Sequence, residues 1–417
     1  MIQNLSEICN FIMMLFLPFT VWQVLIGLFG LIKNKPIPQA KGQFKFAVLI
    51  CAKDEQAVIG NLIDSINRQN YNRDNYTVFV VADNCKDQTA KEAAKYGAIV
   101  LERFNHSQIG KGYAMKWAID IINDQYEDCF DAFTVFDADN LADQNFLLHT
   151  NDALQNGADI TQGYRDTKNP YDSTISGCYS IYWLILMRFF HCARRNLGLS
   201  CMVGGTGFAF KSSLVKNGFS SKTLTEDVEF SLHQILKGKK IFPVKSAVFY
   251  DEQPTELRQS LTQRLRWLSG GVQCASYILP SIRKYSTRQP LKFLGHISRM
   301  DSIIYMLSNL IMPIATIIGA LSLITTLMLA PGMWLVVLKD NLITVLMFYA
   351  ALTGIGALTL MLEKKPVLKY MRSILFFPVF TITFALLSVA AIMPRKVEWK
   401  AIEHTCVKEI SEIANIP

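Results

Sequence analysis

The chain carries a short acidic motif, Asp137-Ala138-Asp139-Asn140, directly after an apolar run that is typical of a buried strand. Two carboxylates at positions i and i+2 beyond a strand end can share one divalent cation. Hard oxygen ligands of this kind suit Mg²⁺ or Mn²⁺ bridging a diphosphate. A solvated loop can carry the same triplet by chance. The triplet therefore indicates a metal site only if other polar residues lie at the same edge of the fold.

Three other stretches of the chain carry polar residues or glycines that could contact a ligand. Asp83 ends a β-branched run, where it could accept hydrogen bonds from a ribose or a base; the alternative is an Asx turn that caps the next helix. Lys111 stands between two glycines at the predicted start of a helix. Backbone amides there favour a phosphate or a nucleobase carbonyl. Gly204-Gly205-Thr206-Gly207 allows close backbone approach to a ligand or forms a tight turn.

A third acidic motif, Thr225-Glu226-Asp227, precedes a helical run. A carboxylate is stabilised near a helix N-terminus whatever its function, so helix capping is one interpretation. The functional interpretation makes Asp227 a general base that takes a proton from an attacking hydroxyl. Because Glu226 and Asp227 are adjacent, we expect that they do not both face one site from a regular helix.

An amphipathic run over residues 256 to 285 contains the pentapeptide Gln263-Arg264-Leu265-Arg266-Trp267. Leucines recur along it at helical spacing, which predicts a helix lying in a membrane interface with its arginines directed to the headgroups. The same residues allow another function. Arg266 could bind a phosphate, and Trp267 offers a flat face for a sugar ring.

These motifs fall in a segment that predicts an α/β domain. Short β-branched runs alternate with helical ones from 44 to about 253, which is typical of a mostly parallel, Rossmann-like sheet. In such sheets ligands bind at the carboxyl ends of the strands, where the polar motifs fall. We predict strands at 45–51, 77–82, 98–102 and 132–136, and helices near 55–68, 87–96, 111–124 and 143–155.

Apolar segments of membrane length flank this domain. Residues 9 to 32 carry no charge, enough for a helix that crosses the bilayer at ~20 residues per span. Further spans are predicted at about 303–329, 342–362 and 374–393, whereas 178–190 is too short and predicts a buried or interfacial helix. The predicted units are listed in chain order: a membrane anchor at 1–35, a catalytic domain at 40–253, interface helices at 254–300, transmembrane helices at 301–395 and a tail at 396–417.

Basic residues orient these segments. Lys33, Lys35 and Lys41 follow the first span while residues 1 to 8 have no Lys or Arg, so the α/β domain is predicted to be cytoplasmic. The basic connector 363–373 also predicts a cytoplasmic turn. Four spans would put the C-terminal tail outside, but the four basic residues of 394–417 leave its side open.

Composition limits the function classes. The chain is 51% hydrophobic and 18% charged, which excludes a wholly soluble protein. Its net charge of +8 fits cytoplasmic flanks and anionic lipid headgroups, and we expect no nucleic-acid binding. The nine scattered cysteines form no CxxC pair or metal-ligand spacing and predict reduced thiols.

Taken in order, the motifs resemble those of a known family. Asp83 after a strand, Asp137-x-Asp139, Thr225-Glu226-Asp227 and Gln263-x-x-Arg266-Trp267 are similar to the D, DxD, TED and QxxRW series of membrane-embedded family 2 glycosyltransferases. That group includes cellulose, hyaluronan, chitin and poly-N-acetylglucosamine synthases. The resemblance covers about residues 40 to 280, and QxxRW after TED is its most specific part.

The resemblance implies a GT-A domain that binds a UDP-sugar, UDP-glucose or UDP-N-acetylglucosamine, on the cytoplasmic side of the plasma membrane. It implies uridine contacts from Ala52, Glu55, Asp83 and Lys111, and a diphosphate with Mg²⁺ or Mn²⁺ at Asp137 and Asp139. Asp227 would be the catalytic base, with Glu226 beside it. Gln263, Arg266 and Trp267 would line the acceptor end, where Arg266 stabilises the leaving diphosphate and Trp267 stacks on the terminal sugar.

The function implied is an inverting, processive synthase that extends a β-linked polysaccharide and moves it across the membrane, in contact with lipids and accessory or export proteins. Departures from the family pattern, Lys53-Asp54 before Glu55 and the Gly204–Gly207 sequence, leave the donor sugar open. Two alternatives stay open. One is a transferase that adds a single sugar to a membrane lipid, and the other is a non-catalytic receptor for nucleotide sugars or polysaccharide.

Overall fold

The computed structural model describes residues 2–219, 221–282, 293–329, 332, 334–393 and 406–413. An α/β domain is built around one eight-stranded sheet. The strands are listed in chain order: β1 Phe46–Ala52, β2 Tyr76–Asp83, β3 Ile99–Arg103, β4 Ala132–Asp137, β5 Leu141–Ala142, β6 Ile160–Thr167, β7 Phe208–Lys211 and β8 Ile241–Asp251. The predicted first four strands are each found within one residue.

The sheet is mixed, with the order β3-β2-β1-β4-β7-β6-β8-β5. Strands β1 to β4 are parallel neighbours, as predicted, while β7 lies antiparallel between β4 and β6. Strand β8 pairs parallel with β6 and antiparallel with β5. In the parallel half the register sets Cys51 beside Asp137 and Ala52 beside Ala82. The carboxyl ends of β1, β2 and β4 therefore meet at one edge.

Helices cover both faces of this sheet. The helices up to residue 278 are listed in chain order: α1 Ile2–Leu28, α2 Ile59–Asn67, α3 Thr89–Lys95, α4 Lys111–Gln125, α5 Phe146–Gln155, α6 Thr174–Ile185, α7 Ala193–Asn196, α8 Glu226–Leu236 and α9 Leu257–Ile278. The apolar residues on one sheet face pack against α2 and α5. Those on the other face pack against α4, α8 and the end of α9. The predicted α/β, Rossmann-like architecture is confirmed, with a sheet that is mixed.

Long apolar helices follow α9. They are α10 Phe293–Leu329, α11 Trp334–Leu362 and α12 Met371–Ala391, and a short α13 Ile410–Ile413 ends the described chain. Four helical segments among the described residues are long and apolar enough to cross a membrane: Gln3–Leu31, Phe293–Leu329, Trp334–Leu362 and Val367–Ala391. The segment predicted as buried or interfacial at 178–190 forms α6 and a π-helical segment, Leu186–Cys192, packed against α12.

A buried ion pair joins the first helix to this assembly. Arg194 and Asp301, which are 1% and 2% exposed, pair at 2.7 Å between α7 and α10. The indole N–H of Trp22 in α1 donates to the same Asp301 carboxylate at 2.9 Å. Taking two charges out of water is tolerated only where their hydrogen-bonding capacity is met, so this contact fixes α1 and α10 against the α/β domain.

The connector between α11 and α12 contacts the sheet. The Glu363 carboxylate accepts from Arg188 at 2.5 Å and from Lys245 at 2.8 Å. Lys365 pairs with Asp166 of β6 at 2.5 Å. The connector and the α/β domain therefore lie on the same side of any membrane that the apolar helices cross.

The described part of the tail also contacts this domain. The Cys406 backbone N–H donates to the Glu252 carboxylate at 3.2 Å, and Lys408 donates to the Lys168 carbonyl at 3.2 Å. Asn61 of α2 donates to the Lys408 carbonyl at 3.5 Å. Residues 406 to 413 therefore lie against the α/β domain rather than apart from it.

Candidate active site

One cavity of about 820 Å³ lies at the carboxyl edge of the sheet and continues between the helices that follow it. Every site residue predicted from the sequence lines it: Ala52, Glu55, Asp83, Lys111, Asp137, Asp139, Glu226, Asp227, Gln263, Arg266 and Trp267. Ligand cavities in proteins commonly have this volume. Six separate stretches of sequence therefore line one cavity, and the individual roles of their residues remain predictions.

Asp83 lies at the end of β2, where it is 7% exposed. Its Oδ1 accepts from Arg103 at 2.6 Å and from Asn84 at 2.9 Å. These contacts hold the carboxylate at the cavity wall. The Glu55 backbone N–H donates to Thr89 Oγ1 at 2.8 Å, which joins the loop after β1 to the first residue of α3.

Lys111, the first residue of α4, connects two parts of the site. Its ammonium group donates to Asp137 Oδ1 and, at 2.7 Å, to the Gly205 carbonyl. Burial alone would lower the pKa of Lys111, but the charges of Asp137 and Glu226 outweigh it and raise the pKa. Lys111 is therefore a fixed positive charge among carboxylates.

Asp139 and Asp251 form a second acidic group beside Asp137. Asp139 is 4% exposed, and Asp251, at the end of β8, accepts from Asn140 at 2.8 Å. Burial raises the pKa of Asp251 to about 6; the Arg165 guanidinium opposes this rise, and the charges of Asp139 and Asp137 add to it.

The carboxylates at this part of the cavity are suited to bind a divalent cation. Asp137, Asp139 and Asp251 line the same cavity, and their mutual repulsion adds to the burial that raises the pKa of Asp251. A bound cation would relieve this repulsion, and hard carboxylate oxygens are the ligands that Mg²⁺ and Mn²⁺ prefer.

Glu226 and Asp227 begin α8 after Thr225, whose backbone is not helical. Both side chains line the cavity, so the expectation that only one of them could face it is wrong. The reason is their position: the first turn of a helix leaves its N-terminus open, and the cavity extends around it. Gly205, at φ +82°, brings the neighbouring loop so close that a Cβ there would lie 3.4 Å from Asp227 Oδ2.

The two carboxylates affect each other's protonation. Burial and the charge of Asp227 raise the pKa of Glu226 to about 7. Burial also raises the pKa of Asp227, against the Val228 backbone N–H and the charge of Lys111, which lower it. Because they interact, the two groups titrate as a pair.

A pH profile tests this arrangement. A carboxylate base acts only when deprotonated, so kcat/KM should fall as the pH drops through the raised pKa of Asp227, above the range of an ordinary aspartate. Replacing the neighbouring carboxylate by Glu226→Gln should leave this acid limb in place, because burial, rather than the charge of Glu226, raises the pKa of Asp227. An acid limb that moves to lower pH would show that the charge of Glu226 sets the protonation of Asp227.

Helix α9 forms the far wall of the cavity. Gln263, Arg266 and Trp267 line it, and the Trp267 ring lies 5.6 Å from that of Trp183, edge to face. Arg264 was expected to reach lipid headgroups, but it is fully buried. Its guanidinium donates to the Phe380 carbonyl at 2.9 Å and to Thr383 Oγ1 at 2.7 Å, both in α12. Helix α12 covers this face of α9, so Arg264 has a structural contact instead.

Sequence reasoning missed Arg165, Asp251 and His191, which also line the cavity. Arg165 of β6 stacks on Trp183 at 3.9 Å, donates to the Gly204 carbonyl and lies 3.4 Å from Asp251. One signal for Arg165 was present in the sequence: charged residues inside a segment flanked by strand-like runs are unusual unless they are paired.

Comparison with known proteins identifies the family. Residues 43–270, more than half of the 417-residue chain, match the family model described as "Glycosyltransferase like family 2". The chain belongs to glycosyltransferase family 2. The matched segment includes all four motifs that carry the resemblance. The match confirms the family that the motifs predicted, while membership of the processive synthase subgroup stays a prediction.

Curated relatives of this family 2 glycosyltransferase are distant. A "Probable glycosyltransferase YdaM" from Bacillus subtilis is 24% identical over 235 residues, 54% of this chain and 55% of that protein. A "Beta-monoglucosyldiacylglycerol synthase" from a Nostoc species is 24% identical over 302 residues, 69% of this chain and 60% of that protein. The chain thus spans little more than half the length of these relatives.

A solved structure shares the fold. The mannosyltransferase PcManGT from Pyrobaculum calidifontis, in complex with GDP-Man and Mn²⁺, aligns over 90% of this chain and 99% of its own with a TM-score of 0.59. At 15% identity the likeness shows the fold alone, and it agrees with the predicted GT-A architecture. That protein was solved with Mn²⁺, a cation of the kind that the sequence predicts for this chain.

Proposed function

We propose that this family 2 glycosyltransferase is a membrane-bound, inverting enzyme that takes sugar from a UDP-sugar, UDP-glucose or UDP-N-acetylglucosamine, and extends a β-linked polysaccharide. One observation carries the proposal. The cavity that contains Asp227 is also lined by Tyr305 of α10 and Phe384 of α12, which are helices apolar enough to lie in lipid. An acceptor at Asp227 can therefore extend toward the membrane.

The donor would bind at the carboxyl edge of the sheet. Ala52, Glu55, Asp83 and Lys111 line the end of the cavity that is nearest the strands, where the uridine would lie. The diphosphate would then reach Asp137 and Asp139. At that wall the cation would be held by these two carboxylates, with Asp251 beside them, and when bound it would neutralise charge on the leaving diphosphate.

The chain's own groups would then perform the transfer. Asp227 takes the proton of the acceptor hydroxyl, whose oxygen attacks the anomeric carbon from the face opposite the diphosphate. The bond from that carbon to the diphosphate oxygen breaks, and the released diphosphate is stabilised by the Arg266 guanidinium. Inversion at this carbon gives a β-linkage from an α-linked donor. Trp267 would stack on the acceptor sugar and Gln263 would hold it.

We place the enzyme in the plasma membrane with its catalytic domain in the cytoplasm, where nucleotide sugars are available. The basic residues after the first apolar helix support this orientation, as do the contacts of the 363–370 connector with the catalytic domain. Accessory or export proteins would receive the polymer on the other side. Such partners follow from the proposed product.

We further propose that α12 lies along the cytoplasmic interface, although the sequence predicts a span at 374–393. Its two flanks, Glu363 before it and Cys406 after it, both contact the catalytic domain. A single helix whose flanks are bound on one face of a membrane cannot cross that membrane. The tail would then be cytoplasmic, as its basic residues favour, instead of outside by parity.

Cysteine labelling tests this topology. With a membrane-impermeant maleimide, Ser411→Cys in the exposed tail should react only after the cells are opened, as should the exposed Cys129 of the catalytic domain. Gly332→Cys, between α10 and α11, is the matched control and should react in intact cells. Reaction of Ser411→Cys in intact cells would show that α12 crosses the membrane.

Product analysis tests the function. Purified full-length protein in lipid vesicles is incubated with a single UDP-sugar and Mn²⁺ or Mg²⁺, and the product is digested with linkage-specific β-glycanases. The proposal predicts a polymer that one matching enzyme degrades. If no donor yields such a polymer, polysaccharide synthesis is excluded.

A second candidate is transfer of one sugar to a membrane lipid. It is favoured by the distant relative named as a beta-monoglucosyldiacylglycerol synthase and by the apolar wall of the cavity. Vesicles that contain diacylglycerol decide between the two, because this candidate predicts one hexose on an extracted lipid and no long product. A protein that binds donor without consuming it would instead be a receptor.

A further inference from the structure

The membrane-side end of the cavity has a distinct composition. Six aromatic side chains line it, from five different helices or segments: Tyr182, Trp183, Phe190, Trp267, Tyr305 and Phe384. We call this end the aromatic chamber. Its rings contact one another, with Phe190 and Tyr305 at 5.0 Å and Tyr182 and Phe384 stacked at 5.5 Å. Flat apolar faces of this kind pack well against the faces of a sugar ring.

One wall of the aromatic chamber is the π-helical segment Leu186–Cys192. Leu186, Phe190 and His191 all line the cavity from this segment. A π-helix is rare in proteins and frequently occurs at functional sites. The segment is therefore a place to look for a ligand contact.

His191 is the polar side chain that this segment contributes. It is 5% exposed, and its Nδ1 is buried with no hydrogen-bond partner among the residues that the structure describes. A buried nitrogen without a partner costs about 1–3 kcal/mol, so such an atom calls for an explanation. A purely structural role would have favoured an apolar ring such as phenylalanine at this position.

The charge state of His191 limits what it can bind. Burial lowers the pKa of His191 to about 3, and the charges of Arg194 and Arg165 lower it further. The ring is therefore neutral at physiological pH, with one nitrogen that donates and one that accepts. A neutral imidazole suits a hydroxyl group, which can do both, and does not suit an anion.

A second unpaired polar atom lies at the same end of the cavity. Gln263 Oε1 is buried and has no hydrogen-bond partner within the described part of the chain. Gln263 lies one helical turn before Trp267 on α9, so it opens into the space that the Trp267 ring bounds. Aromatic faces with a few unpaired polar groups are typical of a pocket for a hydroxylated ligand.

We propose that His191 is a binding residue for the acceptor, forming a hydrogen bond with one of its hydroxyl groups inside the aromatic chamber. The inference rests on the proposed function and goes beyond it, since it names a residue outside the four motifs. The ligand class is a neutral, hydroxyl-bearing group with an apolar face. Both a pyranose at the end of a glycan and the glycerol group of a lipid have this chemistry.

Binding and kinetics test the proposal together. Full-length wild type, His191→Phe and His191→Asn are compared, with His149→Phe on α5, outside the cavity, as the matched control. Tryptophan fluorescence reports binding of a cello- or chito-oligosaccharide in one arm and of dioleoylglycerol in phosphatidylglycerol vesicles in the other. Acceptor kcat/KM, donor hydrolysis without acceptor, and Tm are measured on the same proteins.

We expect His191→Phe to weaken acceptor binding and to lower acceptor kcat/KM about tenfold, through KM, the effect of one lost hydrogen bond. Donor hydrolysis and Tm should not change. His191→Asn, which keeps a donor and an acceptor, should recover most of the loss, and His149→Phe should equal wild type. The arm in which the loss occurs identifies the acceptor as glycan or lipid.

Three results would overturn the proposal. The first is an unchanged acceptor affinity in His191→Phe. The second is a fall in donor hydrolysis as large as the fall in acceptor kcat/KM, or a lowered Tm, in the same variant, and the third is an acceptor affinity in His191→Asn that is as weak as in His191→Phe. Failure of the proposed function gives a different result. Wild type would then bind the acceptor without transferring sugar, and the loss of binding in His191→Phe would still support the contact.

Discussion

Asp227→Asn is expected to abolish sugar transfer while leaving UDP binding intact. Asparagine keeps the size of the side chain but cannot accept the proton of an attacking hydroxyl, and a general base contributes about 10²- to 10⁴-fold to a rate. The α8 N-terminus should keep its position, because the Val228 backbone N–H can still donate to the amide oxygen. Radiolabelled transfer measures the loss, and calorimetry with UDP measures binding.

The matched control is Asp128→Asn. Asp128 is exposed, pairs with Lys216 outside the cavity and has φ +51°, which asparagine also tolerates. This variant should behave as wild type in both measurements. If Asp227→Asn turned over at the wild-type rate, Glu226 would become the candidate base, because its carboxylate also lines the cavity.

The sequence predicted the half of the site that local patterns encode. The strands before Asp83 and Asp137 are short apolar runs, and parallel neighbours bring their carboxyl ends together whatever the rest of the chain does. The motif residues of α4, α8 and α9 follow recognisable helix starts or leucine spacing. Each of these signals lies within a few residues of the side chain that it predicts.

Residues placed by long-range pairing were missed. Arg165 and Asp251 lie on β6 and β8, which pair with each other and with antiparallel β7, so no local pattern marks them. Strand β6 is buried along its whole length although it contains Gln162, Arg165 and Asp166, and it therefore lacks the alternation of a typical strand. Its polar groups are paired across the fold.

The two wrong expectations on the helices have a related cause. Leucine spacing on α9 sets Arg264 on the polar face, but periodicity cannot show that α12 covers that face and supplies the Phe380 carbonyl. Periodicity also treats Glu226 as a residue inside a helix. Glu226 is the first residue of α8, where the open end of the helix lets adjacent side chains reach one cavity.

Asp139→Asn should remove metal-dependent activity, because it takes one negative charge from the cavity that Asp137, Asp139 and Asp251 line together. Even a residue that only supports a metal ligand changes affinity about 10- to 100-fold, so loss of a ligand should raise the Mn²⁺ requirement by at least about 100-fold. The side chain is buried and keeps its size. The Lys168 contact is to the Asp139 backbone carbonyl, at 2.8 Å, so the fold should be retained.

Mn²⁺ binding in the presence of UDP, followed by electron paramagnetic resonance, checks this prediction independently of turnover. Treatment of wild type with a chelator should give the same loss of activity, and added Mn²⁺ should restore wild type but not Asp139→Asn. Asp128→Asn again serves as the control for an Asp-to-Asn change at the surface. If Asp139→Asn bound Mn²⁺ with the affinity of wild type, Asp139 would not be a metal ligand. Asp251 would then be the next candidate ligand, since it lines the same cavity and the charges of Asp139 and Asp137 add to the burial that raises its pKa.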